Sequence, residues 1–249
     1  MNPTNDKPPR SKTFGHFAPT RWTCIISAQA KDPNCASRAL EELCQQYWTP
    51  LYAFARRQGF SVHDAQDHTQ GFFARLLQKD FLRSVAPEKG RFRTFLLVAF
   101  KRFIANARDY ACAAKRGGGE APLSLDVEAA ENLYKAEPLD TGSADIVYER
   151  RWALTLLDRT MNRLREEYAE AGRVKNFEQL KIFLTTSKGD ANYADVANAL
   201  GMSAGATRVA ACRLRRRYRE LFRDEIAQTV SHPDEIEDEI SHLLSAIGR

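Results

Sequence analysis

Apolar side chains recur at helical spacing along most of this chain, and no alternating pattern persists long enough to specify a strand. Leu40, Leu43, Tyr47, Leu51 and Phe54 form a first stripe, with Pro50 marking a kink or a fresh helix start. A second helix opens at Ser61, where Asp64 three residues later resembles a capping box. It runs through Ala65, Thr69, Phe72, Phe73, Leu76 and Leu77. A third carries Phe92, Phe95, Leu96, Ala99, Phe103, Ile104 and Tyr110 until Gly117-Gly-Gly119 breaks it. A long helix follows from about Ala144 to Ala171, with Ile146, Val147, Trp152, Leu156, Leu157, Met161, Leu164 and Tyr168 on its apolar side. Phe177 to Leu184 predicts another, and Ile236, Ile240, Leu243, Leu244 and Ile247 a small amphipathic one. The expected fold class is all-α, in two helical lobes.

Composition between the stripes sets the expected boundaries. Residues 1–18 are polar and proline-rich and read as a disordered tail. A first lobe spans 19–116 and a second 144–228. Residues 117–143 hold glycines, two prolines and a cluster of acids, the composition of a flexible linker. Residues 229–249 form an acidic extension.

The stretch from Tyr193 to Arg217 reads as a helix-turn-helix. Val196, Ala197 and Leu200 make the inward face of a short helix, and Gly201 sits where the chain reverses. Ser203 caps the next helix, which is expected to pack through Val209, Ala210 and Leu214. Arg208, Arg213, Arg215, Arg216, Arg217 and Arg219 cover its other sides, with no lysine among them. Such a helix is either a solvated basic face or one shaped for a major groove. The flat, forked donors of arginine favour phosphate and guanine.

The net charge of +5 is moderate, but its distribution is not even. From Phe92 to Arg116 the cations Arg93, Lys101, Arg102, Arg108, Lys115 and Arg116 face Asp109 alone. From Asp224 to Glu239 there are seven acids and neither lysine nor arginine. Positive charge in two blocks suits a protein that grips a polyanion at two places. The acidic end is expected to fold back on the basic second helix of the helix-turn-helix, or else to serve as a solubilising tail or partner-binding helix.

The five cysteines have no close-pair spacing, which suits a reducing cytoplasm. No signal peptide or membrane span is read from the sequence. The five histidines are scattered, no pair has metal-ligand spacing, and no phosphate-binding loop is present. No catalytic constellation, metal or cofactor is expected, so the chain reads as a binding protein.

Two motifs carry a family resemblance. Asp64-Ala-Gln-Asp67-His-Thr-Gln70-Gly-Phe-Phe73 resembles the D-A-E-D-x-T-Q-x-x-F signature of region 2 in bacterial sigma factors of the extracytoplasmic-function type. Tyr47 to Arg56 is similar to the helix before that signature. Arg91-Phe-Arg93-Thr-Phe95-Leu96 is similar to the opening of the promoter-melting segment, and Tyr193 to Arg217 resembles region 4. The match covers roughly residues 38–228. Phrases beginning at Trp22, Gln70, Lys115 and Leu214 resemble a divergent branch of that family.

The resemblance implies a dissociable subunit of RNA polymerase that selects promoters. Asp64, Asp67, His68 and Gln70 would then meet the arginine-rich clamp helices of the β′ subunit. Asp64 also reads as an ordinary first-turn carboxylate favoured by the helix dipole. Arg93, Phe95, Lys101, Arg102, Arg108, Lys115 and Arg116 would bind and melt the −10 element, duplex giving way to single strand. At helical spacing, however, Phe92, Phe95 and Phe103 read more readily as core. Ser203, Thr207, Arg208, Arg213, Arg215, Arg216 and Arg217 would bind the −35 element while the second lobe meets the β flap. An anti-sigma protein is a further partner of the family. The chain departs from the family pattern at His68, Phe95, Arg102 and Thr207. The competing reading is a one-domain helix-turn-helix regulator with an N-terminal effector or dimerisation lobe.

Overall fold

The computed structural model describes residues 33–76, 91–111, 126–137, 142–186, 193–230 and 232–248. The expected tail at 1–18, the Trp22 phrase, the triple-glycine break and the loop at 187–190 lie outside the described residues. All regular structure among the described residues is helical. In chain order the helices are α1 (Pro33–Arg57), α2 (Val62–Leu76), α3 (Phe92–Ala111), α4 (Val127–Lys135) and α5 (Ala144–Glu170). They continue as α6 (Val174–Leu180), α7 (Ile182–Thr185), α8 (Tyr193–Leu200), α9 (Ala204–Ala227) and α10 (Ile236–Ile247). A 3₁₀ turn at Pro233–Glu235 leads into the last.

Helix α1 continues through Pro50, so no fresh helix starts there. A proline ring removes one backbone bond, and the burial of Trp48, Pro50 and the residues that follow offsets that loss. Leu51, Tyr52, Ala53, Phe54 and Ala55 are all buried in succession, which only a central helix permits. Around it lie Phe72 and Phe73 of α2, Phe92, Leu96 and Phe100 of α3, and Tyr148, Trp152 and Leu156 of α5. Tyr47 meets the edge of Phe92 at 5.6 Å and stacks near Trp152 at 6.3 Å, joining three helices through one ring. Offset and edge-on aromatic pairs of this kind add about 0.5–1.5 kcal/mol beyond their buried area.

A second core gathers Leu164, Phe177, Leu180, Phe183, Val196, Ala211, Leu214 and Leu221. The two cores share elements. Helix α5, read from sequence as the start of the second lobe, buries its first half in the first core and Leu164 in the second. Helix α9 does the reverse, with Leu214 and Leu221 in the second core and Phe222 and Ile226 in the first.

Two segments outside the expected lobes are structured as well. Within the expected linker, Asp126 caps α4 by accepting a bond from the Ala129 N–H at 2.8 Å. Glu131 of α4 then receives the Tyr52 hydroxyl at 2.6 Å and Arg56 at 2.9 and 3.1 Å, fixing α4 on α1. Burial pushes the Glu131 carboxyl up, but bonds from Arg56 and Tyr52 outweigh it and hold it below its usual range. The extension forms α10, whose Ile236 and Leu243 are buried in the first core.

Helix α10 brings Glu239, fully buried, to Arg91 at 2.9 Å and to Arg93. Arg93 is 3% exposed, lies 4.8 Å over the Trp152 ring and also donates to Glu149 at 2.9 Å. Burial pulls its guanidinium below the ordinary value, with Glu149 opposing. Among the described residues no helix is long and apolar enough to cross a membrane.

Removing one partner of a buried ion pair leaves the other charge uncompensated, which costs about 3 kcal/mol or more. Glu239→Gln is therefore expected to lower unfolding stability by about 3 kcal/mol in denaturant titrations. The double variant Glu239→Leu with Arg93→Met should recover part of that loss, because the two most deeply buried charges leave together while Glu149 and Arg91 keep access to water.

Glu131 gives a pH signature. Its carboxyl is depressed in the folded chain relative to 4.5, so its contribution is present above that value and fades as pH falls through the folded one. Glu131→Gln should cost about 2 kcal/mol at pH 7, and the gap from the parent chain should narrow as pH falls below 4.5 and through the depressed folded value.

Candidate nucleic-acid interface

The turn between α8 and α9 is built as the residue types require. Gly201 has φ +61°, the left-handed conformation that a residue without a Cβ adopts at least cost. The Met202 N–H reaches back to the Ala197 carbonyl at 2.9 Å and closes the end of α8. Ser203 Oγ accepts from the Ala206 N–H at 3.2 Å and opens α9. Ser203 is therefore an exposed cap. Thr207 is fully buried, with its hydroxyl donating to the Ser203 carbonyl at 3.1 Å, so it holds the turn and faces no ligand.

One face of α9 is open. Ala204, Gly205, Arg208, Val209, Cys212, Arg213 and Arg216 are exposed at a helical period, and Arg219 extends the row. Val209 was expected in the core, yet it is 52% exposed. Ala211 takes its place inside, because the buried stripe runs through Thr207, Ala211, Leu214 and Leu221. Arg208 leans over the Tyr193 ring at 5.6 Å, and Arg216 meets Glu220 at 3.0 Å while staying 79% exposed. Arg213 has no acidic partner among the described residues.

Two arginines of the predicted set turn away from this face. Arg215 donates from Nε to the Phe183 carbonyl at 2.9 Å and from Nη1 to the Tyr193 hydroxyl at 3.4 Å. Phe183 and Tyr193 are themselves stacked at 4.4 Å, so Arg215 ties α7, α8 and α9 together. Arg217 binds Glu167 of α5 through two bonds, at 2.6 and 2.9 Å, and Glu220 at 3.1 Å. Those bonds, Glu167 first, hold the Arg217 guanidinium above its ordinary value and Glu167 below its own. Both arginines brace the scaffold under the open face.

A second candidate surface lies where α2 meets α3. Phe72, Arg75, Phe95, Val98, Ala99, Arg102, Phe103 and Asn106 line an open groove of about 250 Å³. Gly71 lets the floor form, since a Cβ there would lie 3.3 Å from the Phe103 ring. Phe95 is half-buried along the wall, and Arg102 is exposed at the rim. A groove with aromatic walls and arginines at its edge can hold a planar base that has left its stack. Lys101 is exposed beside Asp145, its partner, with its amine 5.6 Å over the Phe54 ring.

Arg93 is a correction to the expected set. Buried and shared by Trp152, Glu149 and Glu239, it meets no phosphate in this arrangement. The Arg108 side chain and all of Lys115 and Arg116 lie outside the described residues. Arg75 was not foreseen; a lone cation in an aromatic-rich helix gives little signal until α3 is folded beside it.

Toward the first turns of α2 the predicted acidic residues Asp64 and Asp67 are exposed. The Asp64 N–H donates to Ser61 Oγ at 3.1 Å, and the Ser61 hydroxyl donates back to the carboxylate at 2.7 Å. Asp67 is open to solvent beside His63 at 3.7 Å. His68 sits half-buried against the edge of Phe60 at 4.7 Å, and Gln70 is half-exposed. Among the described residues, no cluster of histidine, cysteine, aspartate or glutamate could hold a metal ion.

The acidic extension does not cover the open face of α9. Its helix packs on α5 and on the far end of α9, where Arg223 meets Glu237. The acidic helix thus folds back on the second helix of the helix-turn-helix only at its far end, and its apolar side docks on the first core.

No protein-family model, curated protein or solved structure matches the chain.

The open and braced arginines should separate in binding assays. Replacing Arg208, Arg213 and Arg216 with alanine should weaken duplex DNA binding and lower the slope of log affinity against log salt by about 1 per lost phosphate contact. Arg215→Ala should instead lower the melting temperature and leave that slope unchanged. Fluorescence anisotropy over a salt series, with thermal melts, reads both.

Proposed function

We propose that this chain is a sigma factor of the extracytoplasmic-function type, which gives core RNA polymerase its promoter choice. The observation that carries the reading is the open face of α9: a capped helix after a left-handed glycine turn presents Arg208, Val209, Cys212, Arg213 and Arg216 together. Cations at such spacing meet phosphates on both sides of a major groove, while the smaller residues approach base edges. The duplex read there is the −35 element.

The groove beside Phe95 and Arg102 fits the other half of the task. Melting needs a surface that captures bases as they leave the stack, and aromatic and guanidinium planes do so without demanding one base. The −10 element is assigned to this groove, and core polymerase to Asp64, Asp67 and the neighbouring Gln70. Exposed carboxylates facing an arginine-rich partner fix register and speed encounter. The protein contributes binding and DNA distortion, and the polymerase supplies the chemistry.

One observation favours the competing regulator. Helix α5 passes unbroken from one core to the other, which suits a fixed N-terminal lobe better than a pair of hinged modules. Reconstitution separates the two. Purified chain mixed with core polymerase should co-elute on gel filtration and start transcripts at a defined set of promoters, identified by sequencing their 5′ ends. A chain that binds duplex DNA alone and never joins the polymerase is the regulator.

A further inference from the structure

Helix α10 touches three other helices through three different kinds of contact. Its apolar side inserts Ile236 and Leu243 into the first core. Glu239 reaches Arg91 and Arg93 at the start of α3, His242 meets Glu149 of α5 at 3.1 Å, and Glu237 meets Arg223 near the end of α9. We propose that α10 is an intramolecular latch: it joins the start of α3 to the end of α9 and keeps the first core closed at that edge until a partner releases it.

The character of the contacts fits a latch better than a permanent core element. A helix of 12 residues is marginal by itself in water, so α10 folds only while docked. Docking and folding are therefore one event. Of its polar ties, only the pairing of Glu239 with Arg93 is fully buried. Arg91 is 32% exposed, and the pairs at His242 and Glu237 stand at the surface, where water and salt weaken them. The buried pair fixes where α10 sits, and the exposed pairs let a strongly charged partner compete it away.

The location gives the latch its consequence. Arg91 and Arg93 begin the helix that carries Phe95 and Arg102 on its next turns. Closure ties that helix to α5 and to the end of α9, while Arg208, Arg213 and Arg216 stay open. The inference rests on the reading of the chain as a two-element DNA binder for its biological meaning. The closed state of the free chain does not depend on it.

Hydrogen exchange on the full-length protein tests the latch, with Glu239→Gln and a chain ending at residue 231 as variants. The latch predicts that Glu239→Gln lowers protection of α10, the start of α3 and residues 221–230 by about a hundredfold, with Phe54, Phe100, Leu164 and Leu180 still protected. The shortened chain should keep both cores and show the same local loss. Unchanged protection beyond α10 overturns the proposal. So does a collapse of both cores together, in either variant, because α10 is then ordinary core. A second arm adds core polymerase to the parent chain, and α10 should lose protection when the complex forms. If a complex forms with α10 still protected, the latch is overturned. If no complex forms, the sigma reading fails and the first arm alone decides the latch.

Discussion

One guanidinium holds the molecule's geometry. Arg93 lies flat over Trp152, donates to Glu149 and is met by Glu239, so α3, α5 and α10 converge on a single buried charge. A cation this deep survives only with opposite charge beside it, and here two carboxylates arrive from elements distant in sequence. The pairing specifies position more than it adds stability, since an apolar replacement of the whole set could pack as well. What it fixes is where α3 begins, and hence where the groove lined by Phe95 and Arg102 stands relative to α5.

The same device recurs with other residues. Glu131 binds Arg56 and Tyr52, Glu137 meets Arg151, Glu225 meets Arg159 and Arg163, and Glu167 binds Arg217. In each case arginines on one helix receive a carboxylate from another helix or, for Glu137, from a residue just past the end of α4. The cores hold the helices, and these pairs set their register. Arginine therefore has two roles in this chain: half-buried members brace the scaffold, and fully exposed ones on α9 face outward.

That double use explains what the sequence disclosed and what it hid. The stripes at Tyr47, Leu51 and Phe54, at Phe72 and Leu76, and at Leu156 and Leu164 have a period that only a helix satisfies, so the helices were legible. The glycine turn and serine cap were legible because φ at Gly201 and the free N–H of Ala206 each call for a particular residue type. Burial of charge was not. Nothing in the local pattern separates Arg93, buried, from Arg102, exposed, because Glu149 and Glu239 are far away in sequence. Val209 misled for a related reason: an apolar residue beside Ala210 and Ala211 reads as core until the phase of the helix is fixed by Thr207 and Leu214. Helix α4 was hidden by composition, since Pro122, Pro138 and the acids around it resemble a linker until Glu131 finds Arg56.

Cys212 offers a direct test of the proposal that the open face of α9 lies on promoter DNA. It is exposed at the middle of that face, flanked by Val209, Arg213 and Arg216. A DNA-cleaving iron chelate attached there, with the other four cysteines replaced, would report what the face touches in the assembled polymerase complex. Cleavage is expected to be confined to one short stretch upstream of the transcription start. Diffuse cutting, or none, in a complex that still initiates transcription would contradict the proposal.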